Sequence, residues 1–117
     1  MSTRNIQKLH LLKDIDDYGN EDRGIYKEFS WRMERNTHGK NWCGYISISN
    51  LTIDERGEME TNLHWGITFE SDSEIGFDCA HCYDYSIWNG EGIYRDHTYV
   101  FNIIKNGIDK IRELRNL

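Results

Sequence analysis

The stretch Ile75-Gly76-Phe77-Asp78-Cys79-Ala80-His81-Cys82-Tyr83-Asp84 combines the pattern of a strand with a dense group of potential metal ligands. Apolar or thiol side chains at 75, 77 and 79 alternate with small or polar ones, and this period of two predicts a strand over residues 75–81. Side chains two residues apart on a strand point to the same face of the sheet. We therefore expect Cys79 and His81 to share one face, with Cys82 pointing the other way.

Alternating patterns before this stretch predict the other strands of an antiparallel sheet. Residues 24–35 and 42–48 form two of them, and the polar connection between them contains the Gly and Asn residues expected of a hairpin. Residues 58–62 and 63–70 are predicted as a third and a fourth strand, which could also merge into one. With residues 75–81, the sequence therefore predicts a sheet of four to six strands.

Two helices are predicted, one at each end of the chain. A short N-terminal helix over residues 4–15 has apolar residues at roughly helical spacing. A C-terminal helix of about twenty residues follows Asp96, which can cap it, and it has one apolar stripe made of Val100, Ile103, Ile104, Ile108, Ile111 and Leu114. Because this stripe and the sheet each need an apolar partner, we expect a single α+β domain over residues 1–117, with the C-terminal helix packed on one face of the sheet.

Charge is unevenly distributed along the 117 residues. Residues 41–97 contain two Lys/Arg against eleven Asp/Glu, a net charge of −9, whereas the whole chain has −6. Such a field disfavours direct binding to nucleic-acid phosphates and favours a partner with a basic surface, such as the nucleic-acid channel of another protein. The predicted partner-binding residues lie at two acidic turns: Asp54, Glu55, Glu58 and Glu60 at the first, and Glu70, Asp72 and Glu74 at the second. The alternative is that these carboxylates only form a solvated surface.

Hydropathy and cysteine content indicate the cellular compartment. The sequence has no apolar run of membrane length and no signal-peptide core, so we expect a cytoplasmic protein with no membrane partner. Thiols stay reduced there, and three cysteines cannot all pair, so metal binding or simple burial is favoured over a disulfide. The oligomeric state is left open.

Four side chains from different segments could complete a tetrahedral zinc site: Cys43, His64, Cys79 and His81. Two thiolates and two imidazoles are a common set of structural zinc ligands. Three further residues could replace a ligand or accept hydrogen bonds from one, namely Cys82, Asp78 and Asp84. The competing interpretation is separate burial of small thiols and hydrogen-bonded histidines, without a metal.

The same residues also allow an enzymatic interpretation. Cys79 could be a nucleophile with His64 as its base, or a zinc ion with an open position could activate water for hydrolysis. A closed set of four protein ligands leaves no open position, and the chain has no recognised catalytic signature. We therefore expect a binding protein rather than an enzyme, with Trp88 and Tyr94 as additional aromatic anchors for a partner.

Three short motifs resemble a family of small uncharacterised phage and prophage proteins. They are Cys-Gly-Tyr at 43–45, His-x-Gly-Ile-Thr at 64–68 and Gly-Phe-Asp-Cys-Ala-His at 76–81, and the resemblance covers roughly residues 42–112. It implies functional positions at Cys43, His64, Cys79 and His81, whereas Trp65 and Cys82 depart from the family pattern. A phage protein of this kind is similar to zinc-containing anti-CRISPR inhibitors of type II effector nucleases. The resemblance thus implies counter-defence, by binding a host effector with a basic nucleic-acid channel such as Cas9.

Overall fold

Five antiparallel strands and three helices make up the computed structural model, which describes residues 2–117. The helices are α1 (Thr3–Tyr18), α2 (Ile53–Asn62) and α3 (His97–Leu114). The strands are β1 (Glu21–Tyr26), β2 (Phe29–Arg35), β3 (Trp42–Ile46), β4 (Phe69–Glu70) and β5 (Ile75–Asp78), in the spatial order β1-β2-β3-β5-β4. The predicted α+β fold, with an antiparallel sheet and a helix at each end of the chain, is confirmed.

Helix α3 covers the inner face of the sheet, defined here as the face that bears Met33, Gly44, Ile46 and Phe77. The helix begins after Asp96, whose carboxylate accepts a hydrogen bond from the Tyr99 backbone N–H at 2.8 Å. Its apolar stripe is fully buried at Val100, Ile104, Ile108 and Ile111. Burial of each such side chain stabilises the fold by about 1.5–3 kcal/mol. The C-terminal helix and its cap therefore form as the sequence predicts.

The predicted strand over residues 24–35 is wrong in its extent, because the chain turns within it. Strands β1 and β2 form a hairpin whose two turn residues, Lys27 and Glu28, have φ angles of +47° and +75°. Two successive positive φ angles are typical of the tight turn that matches the twist of a hairpin. The sheet therefore has a separate edge strand, β1, whereas the alternation of residues 24–35 predicted β1 and β2 as one strand.

The predicted strand over residues 58–62 is also wrong, since these residues belong to helix α2. The Thr52 side chain accepts a hydrogen bond from the Glu55 N–H at 3.1 Å, and the Glu55 carboxylate accepts one from the Thr52 N–H at 2.9 Å. This reciprocal capping box satisfies two donors at the helix start. Of the predicted strand over 63–70, only Phe69–Glu70 is extended, and the strand predicted over 75–81 ends at Asp78.

Helix α1 is joined to the sheet and to the start of α3 through a buried carboxylate. Asp14 accepts hydrogen bonds from the Tyr94 hydroxyl at 2.5 Å, from Trp42 Nε1 at 2.9 Å and from Arg35 Nη2 at 3.1 Å. The backbone N–H of His97 is a fourth donor at 3.1 Å. Tyr94 is only 3 % exposed, so its predicted role as a surface anchor for a partner is wrong.

Within residues 2–117, no helix is both long enough and apolar enough to cross a membrane.

Candidate functional site

Asp84 is the centre of the polar cluster that follows strand β5. Its carboxylate is fully buried and accepts hydrogen bonds from His64 Nε2 at 2.7 Å, Arg95 Nε at 2.9 Å and the His81 backbone N–H at 3.0 Å. Burial alone would raise the pKa of this carboxyl, but the hydrogen bonds from His64, Arg95 and His81 outweigh it, so the pKa is lowered. Asp84 is therefore a buried carboxylate held in its charged form.

His64 uses both of its ring nitrogens within this cluster. Nε2 lies against the Asp84 carboxylate, and Nδ1 lies 2.7 Å from the hydroxyl of Tyr99 on α3. Because a carboxylate only accepts, we assign the proton to Nε2, which leaves Nδ1 to accept from Tyr99. Burial raises the pKa of Tyr99, which keeps its hydroxyl protonated and able to donate. In this arrangement, neither nitrogen is available as a base for Cys79.

The two candidate cysteine ligands lie on opposite faces of the sheet. Cys43 is paired in register with Asp78, so both face away from α3, on the face that we call the outer face. Cys79 is buried on the inner face with Phe77 and Ile75. Burial raises the pKa of Cys43 to about 11, and burial also raises that of Cys79, with added repulsion from nearby carboxylates. Both thiols are therefore protonated at neutral pH and are poor nucleophiles.

The two histidine candidates lie near one another. The ring centroids of His64 and His81 are 5.9 Å apart, and His81 Nε2 is 3.4 Å from Asp78 Oδ1 without the alignment of a hydrogen bond. Cys82 is exposed. Among residues 2–117, no three His, Cys, Asp or Glu side chains converge as ligands of one ion. The residues therefore do not form the predicted four-ligand set as they are arranged, and zinc binding stays a prediction.

The predicted acidic partner-binding residues are largely engaged within the chain. The first group lies on helix α2 rather than at a turn, and the second borders β4 and β5. Four of the seven are in ion pairs, which join Glu55 to Arg115, Glu58 to Lys110, Glu70 to Arg56 and Glu74 to Arg32. Glu60 accepts a hydrogen bond from the Ile67 N–H at 3.3 Å. Asp54 and Asp72 are exposed, and within residues 2–117 their carboxylates have no ion-pair partner.

An exposed group of aromatic rings lies beside the buried Asp84 cluster and was not predicted from the sequence. Trp65 stacks on His81 with centroids 5.0 Å apart and planes 18° apart, and on Tyr83 at 6.4 Å and 26°. The Trp65 side chain is 53 % exposed and that of Tyr83 is 68 % exposed. We call Trp65, His81 and Tyr83 the aromatic stack.

The backbone of Trp65 has an unusual conformation. Its φ angle is +59°, and Gly66 follows at +82°. Glycine adopts the left-handed region freely, whereas a residue with a Cβ pays about 1–2 kcal/mol. The sequence contains the Gly66 turn signal, but the alternation of residues 63–70 predicts a strand instead. Strain of this kind at an exposed aromatic residue is a feature that recurs at binding sites.

Comparisons of the chain with protein-family models, with curated proteins and with solved structures find no match. The candidate site consists of a buried cluster around Asp84, whose polar groups are paired with one another, and an exposed aromatic stack that rests on it.

Proposed function

We propose that the protein acts by binding another protein through a surface within its acidic segment, residues 41–97. The observation that supports this most is the aromatic stack. Its Trp65 and Tyr83 rings are at least half exposed and lie in a segment of net charge −9. Tyrosine and tryptophan supply large contact areas with little loss of side-chain entropy, and they are enriched where binding energy is concentrated. A negative surface around them favours a basic partner.

The chemistry of the buried cluster fits a supporting role better than a catalytic one. His64 has no ring nitrogen free for Cys79, and the raised pKa values of the Cys43 and Cys79 thiols oppose thiolate formation. Asp84 is neutralised by its ion pair with Arg95. These contacts hold the 64–66 turn and the 79–84 loop in fixed positions, which orients the rings of the aromatic stack.

Electrostatic attraction would come from acidic side chains that are not already paired. Asp54 and Asp72 have that property, whereas the charges of Glu55, Glu58, Glu70 and Glu74 are compensated within the chain. Attraction between oppositely charged surfaces speeds association, and this effect declines steeply as the salt concentration rises. We therefore place the steering role on Asp54 and Asp72 rather than on all seven predicted residues.

The kind of partner proposed is a nucleic-acid-binding effector with a basic channel, and counter-defence is the proposed context. The test is binding of a purified type II effector nuclease, with and without its guide RNA, to the immobilised protein. We expect binding to the RNA-free effector, loss of its DNA cleavage, and association that slows as salt rises. No binding to either form, together with unchanged cleavage, would reject this partner.

Two charge-reversal variants sharpen the test. Asp54→Lys combined with Asp72→Lys should slow association several-fold at low salt and weaken its salt dependence. The matched control is Asp16→Lys combined with Glu28→Lys, which makes the same charge change at exposed positions outside residues 41–97. Equal slowing in both double variants would show that net charge, and not this segment, steers the encounter.

A further inference from the structure

We infer that the aromatic stack binds an arginine side chain of the partner. This inference rests on the proposed function, because a partner with a basic surface supplies the arginine. It adds the contact that would give such a complex its specificity, beyond the general attraction between acidic and basic surfaces.

The ring arrangement suits a planar cation. The Trp65 plane is within 18° of the His81 plane and within 26° of the Tyr83 plane, so Trp65 is stacked on each of the other two rings. A guanidinium group is itself planar and stacks on the face of an aromatic ring, where the ring quadrupole attracts its charge. Tryptophan is the strongest such acceptor, and Trp65 is the ring shared by both stacked pairs.

A carboxylate lies next to the His81 ring of the aromatic stack. Asp78 Oδ1 is 3.4 Å from His81 Nε2, and this oxygen accepts a hydrogen bond from the Ala80 N–H at 3.1 Å. The Asp78 side chain is 33 % exposed, so the carboxylate can also accept N–H groups from an incoming guanidinium. Charge-assisted hydrogen bonds of this kind fix the orientation of an arginine more strictly than stacking does.

The backbone holds the indole in an outward position. His64 is anchored by Asp84 and Tyr99, and it directly precedes Trp65. With a φ angle of +59°, the chain reverses direction at Trp65 and leaves its ring half exposed instead of burying it in the core. Glycine would suit this backbone better than tryptophan, which points to a use for the ring itself.

Arginine is favoured over lysine on chemical grounds. Lysine carries a compact and strongly hydrated charge that cannot stack, whereas the guanidinium is weakly hydrated and flat. The exposed rings of the aromatic stack, together with the Asp78 carboxylate near its His81 member, offer both types of contact that arginine makes. The structure thus distinguishes between two basic residues that net charge alone would treat equally.

The test uses two short glycine-serine peptides as probes, one with three arginines and one with three lysines. Binding to the ¹⁵N-labelled full chain is followed by NMR at the backbone amide signals of Gly66, His81 and residue 83, which every variant retains. We expect the arginine peptide to bind several-fold more tightly than the lysine peptide. Trp65→Gly should weaken arginine binding about tenfold and Tyr83→Ala several-fold. Tyr18→Ala, which removes an exposed aromatic ring outside the stack, should leave it unchanged.

Trp65→Gly keeps the test falsifiable because the variant should fold. Its backbone suits the positive φ angle, so its melting temperature should equal or exceed that of the wild type. Arginine binding of unchanged strength in this folded variant would overturn the inference, as would equal affinity for the two peptides. Binding of an uncharged tyrosine peptide as tightly as the arginine peptide would identify an apolar contact surface instead, and would also overturn it.

The outcomes separate this inference from the proposed function. If Trp65→Gly binds the effector nuclease as strongly as the wild type does, the arginine site is wrong while protein binding stands. If the arginine peptide binds at Trp65 but the effector does not bind at all, the site stands and the proposed partner is wrong.

Discussion

The thiols of Cys43 and Cys79 lie on opposite faces of the sheet, although the segments that bear them are neighbours. Cys43 is paired with Asp78 on the outer face, and Cys79, one residue further along, is buried on the inner face. A one-residue shift in register would move every core side chain of β5 to the other face. The separation of the two sulfurs is therefore set by the fold and not by side-chain rotamers.

Zinc content is the first testable consequence. An ion held by Cys79, His64 and His81 would require changes in the 79–84 loop and the loss of one His64 contact, to Asp84 or to Tyr99. Cys43 lies on the face of the sheet opposite to Cys79 and could not join them without a new register. We expect zinc that copurifies with the untagged protein, measured by elemental analysis, to survive Cys43→Ser and to be lost in Cys79→Ser and His81→Ala. Loss of a structural zinc should also lower the melting temperature.

Two results would contradict this expectation in different ways. Protein with no stoichiometric transition metal would remove the zinc prediction altogether. Zinc that is retained in Cys79→Ser but lost in Cys43→Ser would place the ion on the outer face of the sheet. In the second case Asp78 would be the neighbouring candidate ligand, since it is paired with Cys43 across the strands.

Asp84→Asn should destabilise the protein strongly. An amide can replace the acceptor for His64 or for Arg95, but not both, and it leaves the Arg95 charge without its partner. Removing one partner of a buried ion pair typically lowers the free energy of unfolding by about 3–5 kcal/mol. Because the amide retains one acceptor oxygen, we expect a loss of about 3 kcal/mol here. Urea unfolding measures the loss.

Asp72→Asn is the control for this variant. It makes the same substitution at an exposed carboxylate, and a surface change of this kind should alter the free energy of unfolding by less than about 0.5 kcal/mol. Equal stability of Asp84→Asn and Asp72→Asn would mean that Asp84 is not held as described.

Stability should decline in acid because of the buried carboxylates. Hydrogen bonds to Asp14 and Asp84 outweigh the effect of burial and lower both pKa values below the ordinary 3.8, and the Arg115 guanidinium lowers the pKa of Glu55 to about 2. A carboxyl group whose pKa is lower in the folded state binds more protons when the chain is unfolded. Its contribution to the free energy of unfolding is therefore fully present above the pKa that it has in the unfolded chain. That contribution is lost as the pH falls towards the folded pKa.

Urea unfolding at a series of pH values tests this assignment. The free energy of unfolding should stay level from about pH 7 to pH 5 and fall below about pH 4.5. The Asp84→Asn variant should show a shallower fall, since one of the responsible groups is absent. A loss of stability that is complete above pH 5 would contradict an origin in these carboxylates.

The elements that the sequence predicted correctly carry more than one consistent signal. Helix α3 has both the Asp96 cap and a stripe that recurs over four turns, and β3 has strict alternation next to a turn rich in Asn and Gly. Helix α2 was missed because Met59 is its only fully buried apolar residue, which gives a weak period. The Thr52 and Glu55 capping box was nevertheless present in the sequence.

The site could be predicted only in part, because a sequence shows which residue types are present but not which of them are in contact in the fold. His64, His81 and Asp84 were singled out by residue type, and the fold does bring them together. Tyr99, which binds His64, lies 35 residues along the chain, and Asp14 binds Tyr94 across 80 residues. Contacts of such range depend on how α1 and α3 pack, which local patterns do not encode.

The turn between β1 and β2 offers a stabilising substitution. Glu28 has a φ angle of +75° and its side chain is exposed. A left-handed backbone costs a non-glycine residue about 1–2 kcal/mol, part of which is offset because glycine makes the unfolded chain more flexible. We therefore expect Glu28→Gly to raise the free energy of unfolding by about 0.5–1 kcal/mol, measured by urea and thermal unfolding.

The matched control is Glu34→Gly, which makes the same change at an exposed position inside β2. Glycine in the middle of an extended strand lowers stability by roughly 0.5–1 kcal/mol, so the two variants should shift the melting temperature in opposite directions. Lys27 is kept in both, because its ammonium is 2.9 Å from Asp109 on α3 and its carbonyl accepts a hydrogen bond from Arg112. Destabilisation of similar size in both variants would show that Glu28 is not left-handed, and that β1 and β2 are joined by a turn of another type.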